Sequence, residues 1–100
     1  MRLRGKVDKN QAEMVNALRK AGASVVSLAN LGSGVPDLLV GFRKQNFLIE
    51  GKVPGGKLTP DQVKFHEQWR GRKIAVSFCS MDALLAIGAI TIREYKKGKQ

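Results

Sequence analysis

The chain has 100 residues, with 18 Lys and Arg against 8 Asp and Glu, a formal net charge of +10 at pH 7. That length suits one hydrophobic core and argues against a second domain. A hydrophobic content of 43% argues against wholesale disorder, and no apolar run is long enough to span a membrane. The positive balance points to a polyanionic partner, nucleic acid before membrane.

The charge is not confined to one end. Residues 93–100 form a basic tail with Arg93, Lys96, Lys97 and Lys99 against Glu94, and the rest of the chain keeps most of the surplus. Arg2, Arg4 and Lys6 are not followed by an apolar run, so no secretory leader is expected. The single Cys79 cannot form an intrachain disulfide and suits a reducing compartment. The expectation is one domain over residues 1–100, in the cytoplasm.

Along the chain, the first ten residues are basic and lack apolar periodicity. Asp8 reads as the N-cap of a helix over 9–21, with Met14, Val15, Leu18 and Ala21 as its buried positions and Gly22 as its stop. The segment 24–29 (SVVSLA) is short and β-branched, a strand, and 30–34 is a flexible loop. A buried strand over 37–42 (DLLVGF), a polar turn over 43–46 and a strand over 47–52 (FLIEGK) make an antiparallel hairpin centred on Lys44 and Gln45. Pro54-Gly55-Gly56 ends it.

Thr59-Pro60-Asp61-Gln62 opens the next helix: Thr59 caps, Pro60 takes the first helical position and Gln62 closes a capping box. That helix runs to about Arg70, with Gly71 as the stop. A strand over 73–78 (KIAVSF) follows, and Ser80 caps a short helix over 81–87. Residues 89–95 fit a final strand or an extended tail equally. The order α-β-β-β-α-β-α implies an α/β fold with a mixed central sheet flanked by helices.

Acids are scarce here, so their places carry information. Glu50 and Lys52 are two apart on one strand and share a face, with Gly51 turned away. The expected hairpin sets Asp37 opposite Lys52, one diagonal step from Glu50. Two carboxylates in a basic, partly apolar setting do not both ionise unless a cation compensates. Mg²⁺ fits that need, because it takes few protein oxygens and keeps several waters. Such an ion activates water and stabilises charge on a phosphoryl oxygen. A Lys52 ammonium beside it would orient the nucleophile or stabilise the transition state. Glu13 on the first helix adds a third carboxylate if that helix packs near the hairpin. A carboxylate and a lysine two apart on a strand most often form a solvated face. The apolar runs Leu38-Leu39-Val40 and Phe47-Leu48-Ile49 beside these charges argue otherwise.

At these residues the chain resembles the VRR-NUC family, a branch of the PD-(D/E)xK nuclease superfamily. The matching stretches are Gly34-Val35-Pro36-Asp37-Leu38-Leu39-Val40, then Phe47-Leu48-Ile49-Glu50-Gly51-Lys52, then Leu58-Thr59-Pro60-Asp61-Gln62 running into Phe65-His66-Glu67-Gln68-Trp69. The likeness spans roughly residues 8–88 and looks like the stand-alone phage and prophage members, which implies the cytoplasm of a bacterial host. It implies a restriction-endonuclease-like core and phosphodiester hydrolysis dependent on Mg²⁺ or Mn²⁺. Asp37 and Glu50 would be metal ligands, the Gly51 carbonyl a further ligand, and Lys52 the catalytic lysine. Glu13 matches the acidic residue of the family's first helix. Gln62 matches the glutamine after the motif, which would hold a water or Lys52. The resemblance also implies a homodimer acting on branched DNA such as four-way (Holliday) junctions. One departure is Gly51, where the middle residue of E-x-K is usually apolar. The rival reading is a non-catalytic basic DNA-binding module with a nuclease-like fold.

Other residues have blander readings. His66 reads as a helix residue packed near Trp69 rather than a general base or ligand, since an E-x-K site does not need histidine. Phe65 and Trp69, four apart on a helix, read as core. Cys79 reads as a small buried hydrophobe. Tyr95 reads either as a base-stacking group or as an ordinary exposed aromatic. Gly32 and Gly34 precede a strand, so they do not make a dinucleotide loop; they would let the loop approach a DNA backbone. Three basic clusters, at 2–6, 70–73 and 96–99, would bind phosphates without reading sequence.

Overall fold

A computed structural model describes residues 3–98, and its elements follow in the order α1 (Leu3–Lys20), β1 (Ser24–Ser27), β2 (Leu38–Phe42), β3 (Gln45–Gly51), α2 (Pro60–Gln68), β4 (Ala75–Ser77), α3 (Ser80–Ala86) and α4 (Ile92–Gly98). The four strands form one sheet in the order β1-β2-β3-β4. β1 and β2 are antiparallel, as are β2 and β3, and β4 joins β3 parallel after the chain has crossed through α2. This mixed α/β arrangement is the one expected of a restriction-endonuclease-like core.

One sheet face carries the core. Leu38 and Val40 of β2, and Phe47 and Ile49 of β3, alternate inward and meet Met14 and Leu18 of α1 and Ala83 and Ile87 beyond. The strand period of two sends Leu39, Leu48 and Glu50 to the other face. α1 and α3 pack on each other and on the core face. α2 differs: none of its nine residues is buried.

The first helix starts six residues earlier than the sequence suggests, so Asp8 lies inside it and is not its cap. The inward stripe Leu18–Met14 continues back through Asn10 to Val7 at three- and four-residue spacing, and this carries the helix past Asp8. The hairpin register also differs. Phe42 pairs with Gln45 and Leu38 with Ile49, around a two-residue turn of Arg43 and Lys44 with φ of 50° and 65°. Two left-handed central residues make this a type I′ turn, whose twist matches the strands. Asp37 is thereby brought level with Glu50 rather than Lys52.

The end of the chain is neither strand nor extended tail up to residue 98. Thr91 and Glu94 form a reciprocal capping box that opens α4, with N–H donations of 2.9 and 3.1 Å. The Tyr95 hydroxyl donates to Asp82 Oδ1 at 2.5 Å, so α4 folds back on α3. Tyr95 is therefore a half-buried anchor. α3 begins at Ser80 itself, with Cys79 in the cap position making no side-chain cap bond; Asp82 Oδ2 accepts the Phe78 N–H at 2.8 Å instead. Trp69 stacks on Phe65, with centroids 5.3 Å apart, yet is 45% exposed, so this pair is not core. Arg2, the side chains of Arg4 and Lys6, and Lys99 and Gln100 lie outside the described residues.

Candidate active site

Where β2 begins and β3 ends, two carboxylates meet. Buried Pro36 leads into Asp37, whose carbonyl accepts the Leu28 N–H at 2.7 Å and prolongs the β1–β2 ladder. The Asp37 Oδ2 accepts the Gly51 N–H at 2.9 Å, which ties the carboxylate to the last residue of β3. Glu50, on the strand's outer side, is only 1% exposed. Its Oε2 accepts from Gln62 Nε2 at 3.3 Å, while its Oε1 is buried with no hydrogen-bond donor.

Such a carboxyl resists ionisation. Burial, first, and then the hydrogen-bonding and charge of the neighbouring Asp37, push the Glu50 pKa up to about 8; the Lys52 ammonium opposes them. A buried carboxylate oxygen lacking a donor, beside a second carboxylate, is an acceptor set that a hard cation satisfies. The residues present therefore fit a divalent ion.

These groups open into a cleft of about 550 Å³, lined by Asp37, Glu50, Lys52 and Gln62, by Val7 of α1, and by the turn after β3. That turn is built locally. Gly56 N–H bonds to the Val53 carbonyl at 2.9 Å, Pro54 holds the second position, and Gly55 takes φ +85°, the geometry of a type II turn. Lys57 follows it at the cleft wall. From α1, the Asn10 amide donates to the carbonyls of Lys52 at 3.0 Å and Phe78 at 3.3 Å, tying the ends of β3 and β4 together.

The structure thus brings Asp37, Glu50, Gly51, Lys52 and Gln62 together and leaves Glu13 out. Glu13 is exposed and is absent from the cleft wall. It sits about 100° round the helix from Met14, off the stripe that faces the sheet. Among the described residues no group of three or more acidic, histidine or cysteine side chains is assembled. Gly51 has room for a methyl: a Cβ there would lie 3.5 Å from Asp37 Oδ2 and 3.6 Å from Met14 Sδ, ordinary contacts. His66, one turn beyond Gln62, has its Nε2 buried without a partner. Burial, then the field of Lys52, lowers its pKa, so it is neutral at neutral pH. The backbone of Gly34 abuts the first turn of α2.

A family model of the VRR-NUC domain matches residues 3–83. The chain belongs to the VRR-NUC family. Its activity class is therefore that of a nuclease, with DNA as substrate, and VRR-NUC nucleases typically depend on a divalent metal. No curated protein and no solved structure gives a match. Within this VRR-NUC domain, Asn10 is the site residue that sequence reasoning missed. Its signal is a polar side chain in the otherwise apolar stripe Val7–Met14–Leu18.

Proposed function

We propose that this chain is a Mg²⁺- or Mn²⁺-dependent DNA endonuclease with its site at Asp37, Glu50 and Lys52. The observation that supports this best is the buried Glu50 oxygen without a donor, beside Asp37 and open to a cleft. Asp37, Glu50 and the Gly51 carbonyl would hold the ion. When bound, it supplies Lewis-acid polarisation of a phosphoryl oxygen and eases deprotonation of water. The protein's own part is positional and electrostatic. Gln62 holds one Glu50 oxygen, Asp37 is held by the Gly51 N–H, and the Lys52 ammonium sets positive charge where the phosphodiester oxygens gain negative charge.

The substrate we assign is branched DNA, of which a four-way junction is the two-fold case, cut by a homodimer. Pairing is supported by a surface unlike the rest of the molecule. Residues 21–36 contain no charged residue in a chain that is 26% charged. They expose Val26 (54%) and Leu31 (64%), with Leu39 beside Val26 on the neighbouring strand. Charge depletion around exposed apolar side chains marks a protein interface rather than a phosphate-binding one, and a two-fold dimer would present two sites to paired strands.

The test is cleavage of labelled four-way junction, flap, nicked and plain duplex DNA in Mg²⁺, Mn²⁺ or chelator. Paired, metal-dependent cuts confined to the junction are expected, and Lys52→Ala should slow them strongly while leaving DNA binding intact. Cleavage of every substrate would remove the selectivity. Salt-sensitive binding without cleavage in either metal would favour the non-catalytic module. Light scattering should give twice the chain mass, falling to one chain for Leu39→Lys; a monomeric wild type would remove the pairing.

A further inference from the structure

The amide of Gln62 has a defined direction, and its cause lies outside the cleft. Thr59 Oγ1 accepts the Gln62 N–H at 3.3 Å, and the Thr59 N–H donates to Gln62 Oε1 at 2.9 Å. Because Oε1 is taken up by that donor, the other end of the amide is its NH₂ group. That group reaches Glu50 Oε2. Turning the amide over would set a carbonyl against a carboxylate and an NH₂ against an N–H, losing both bonds.

The helix that carries Gln62 has little else to fix it. It buries none of its nine residues, and a helix of that length has scant stability of its own. Its first turn is instead seated against a backbone. Gly32, Ser33 and Gly34 take φ of +68°, +56° and +79° in succession. At Gly34 a Cβ would overlap the Asp61 carbonyl and lie 2.9 Å from Gln62 N. Only a residue without a side chain lets the loop come so close to α2.

We propose that Thr59 and Gly34 are positioning residues for the site: the capping box and the bare backbone of the loop seat the first turn of α2 so that Gln62 offers its NH₂, and not its carbonyl, to Glu50. One Glu50 oxygen is then engaged and the other is left for the cation. This rests on reading Asp37 and Glu50 as the cation site, and it adds two residues that never touch substrate.

The experiment is Mn²⁺ titration by calorimetry, without DNA, on the full chain. Thr59→Val removes the hydroxyl acceptor at constant shape, and Gly34→Ala adds the intruding methyl. Each should weaken Mn²⁺ binding about tenfold, the effect common for partners that orient metal ligands. Thr59→Ser should restore the wild-type affinity. In a Gln62→Ala background Thr59→Val should have no further effect, because both act through one amide. An unchanged affinity in Thr59→Val, or a full additional loss in the Gln62→Ala background, would overturn the proposal. If the wild type binds no Mn²⁺, the cation-site reading fails instead. The positioning is then read from the Gln62 side-chain NH₂ resonances, which should shift in Thr59→Val, where the first turn loses its hydroxyl cap, and stay in Thr59→Ser. Resonances unmoved in Thr59→Val would sink it.

Discussion

Glu50→Gln should make the metal-free protein more stable while abolishing cleavage. In the folded chain Glu50 titrates near 8, against 4.5 for an ordinary glutamate. The folded state therefore holds this proton more tightly than the unfolded state does. Between pH 4.5 and 8 stability must fall as pH rises. At 1.36 kcal/mol per pKa unit, the raised pKa lowers stability, relative to acid pH, by about 3 kcal/mol at pH 7 and about 4 kcal/mol at pH 8, because the fold must hold a proton that the unfolded chain has lost. Glutamine has no proton to lose and fills the same volume, so it escapes this cost. For a domain of this size about 3 kcal/mol corresponds to roughly 10–20 °C in Tm. The assay is thermal unfolding of both proteins in chelator across pH 5 to 9, read as the difference between them. That difference cancels His66, whose lowered pKa acts in the opposite sense below pH 6.5. The gap should widen with pH, and Mn²⁺ should narrow it by stabilising the wild type alone. A gap that is absent or constant with pH would refute the argument that Glu50 is buried at a cost that a cation offsets.

Three further outcomes follow from single contacts. Gly51→Ala should gain about 0.5–1 kcal/mol in chemical denaturation, because the strand loses a flexible residue and the methyl meets only ordinary contacts. Asn10→Ala should lose about 1–3 kcal/mol, since the Lys52 and Phe78 carbonyls would lose their shared donor. Lys44→Gly should raise the unfolding midpoint by about 1 kcal/mol equivalent by relieving a left-handed residue at φ 65°, with cleavage rate unchanged because the turn lies at the far end of the hairpin.

Much of this was legible in the residues, for identifiable reasons. Thr59-Pro60-Asp61-Gln62 announces its helix because capping is local chemistry, and both bonds of the box are present. The hairpin is legible from its two apolar runs. Its register is not, because Arg43 and Lys44 occupy left-handed positions that sequence statistics give to Asn and Gly. The resulting two-residue shift moves Asp37 from opposite Lys52 to opposite Glu50. Glu13 misleads because the phase of α1 is set by Val7 and Asn10, which lie before the apparent start of the periodicity. α4 is hidden by the β-branched run Ile90-Thr91-Ile92, although Thr91 and Glu94 carry a capping-box spacing. Phe65 and Trp69 have core spacing, but α2 buries none of its residues and the indole is left half in solvent.

The Asn10 amide joins partners 42 and 68 residues away along the chain. Contacts of such separation form only after the intervening loops have closed. During synthesis Asp37, Glu50 and Lys52 emerge well before Phe78, and the strand that Phe78 follows is the last of the sheet. The end of the molecule that holds the candidate site is therefore braced only once the chain through Phe78 is available. A nascent or truncated chain ending before Phe78 carries every acidic residue of the site and lacks the brace that holds them in place.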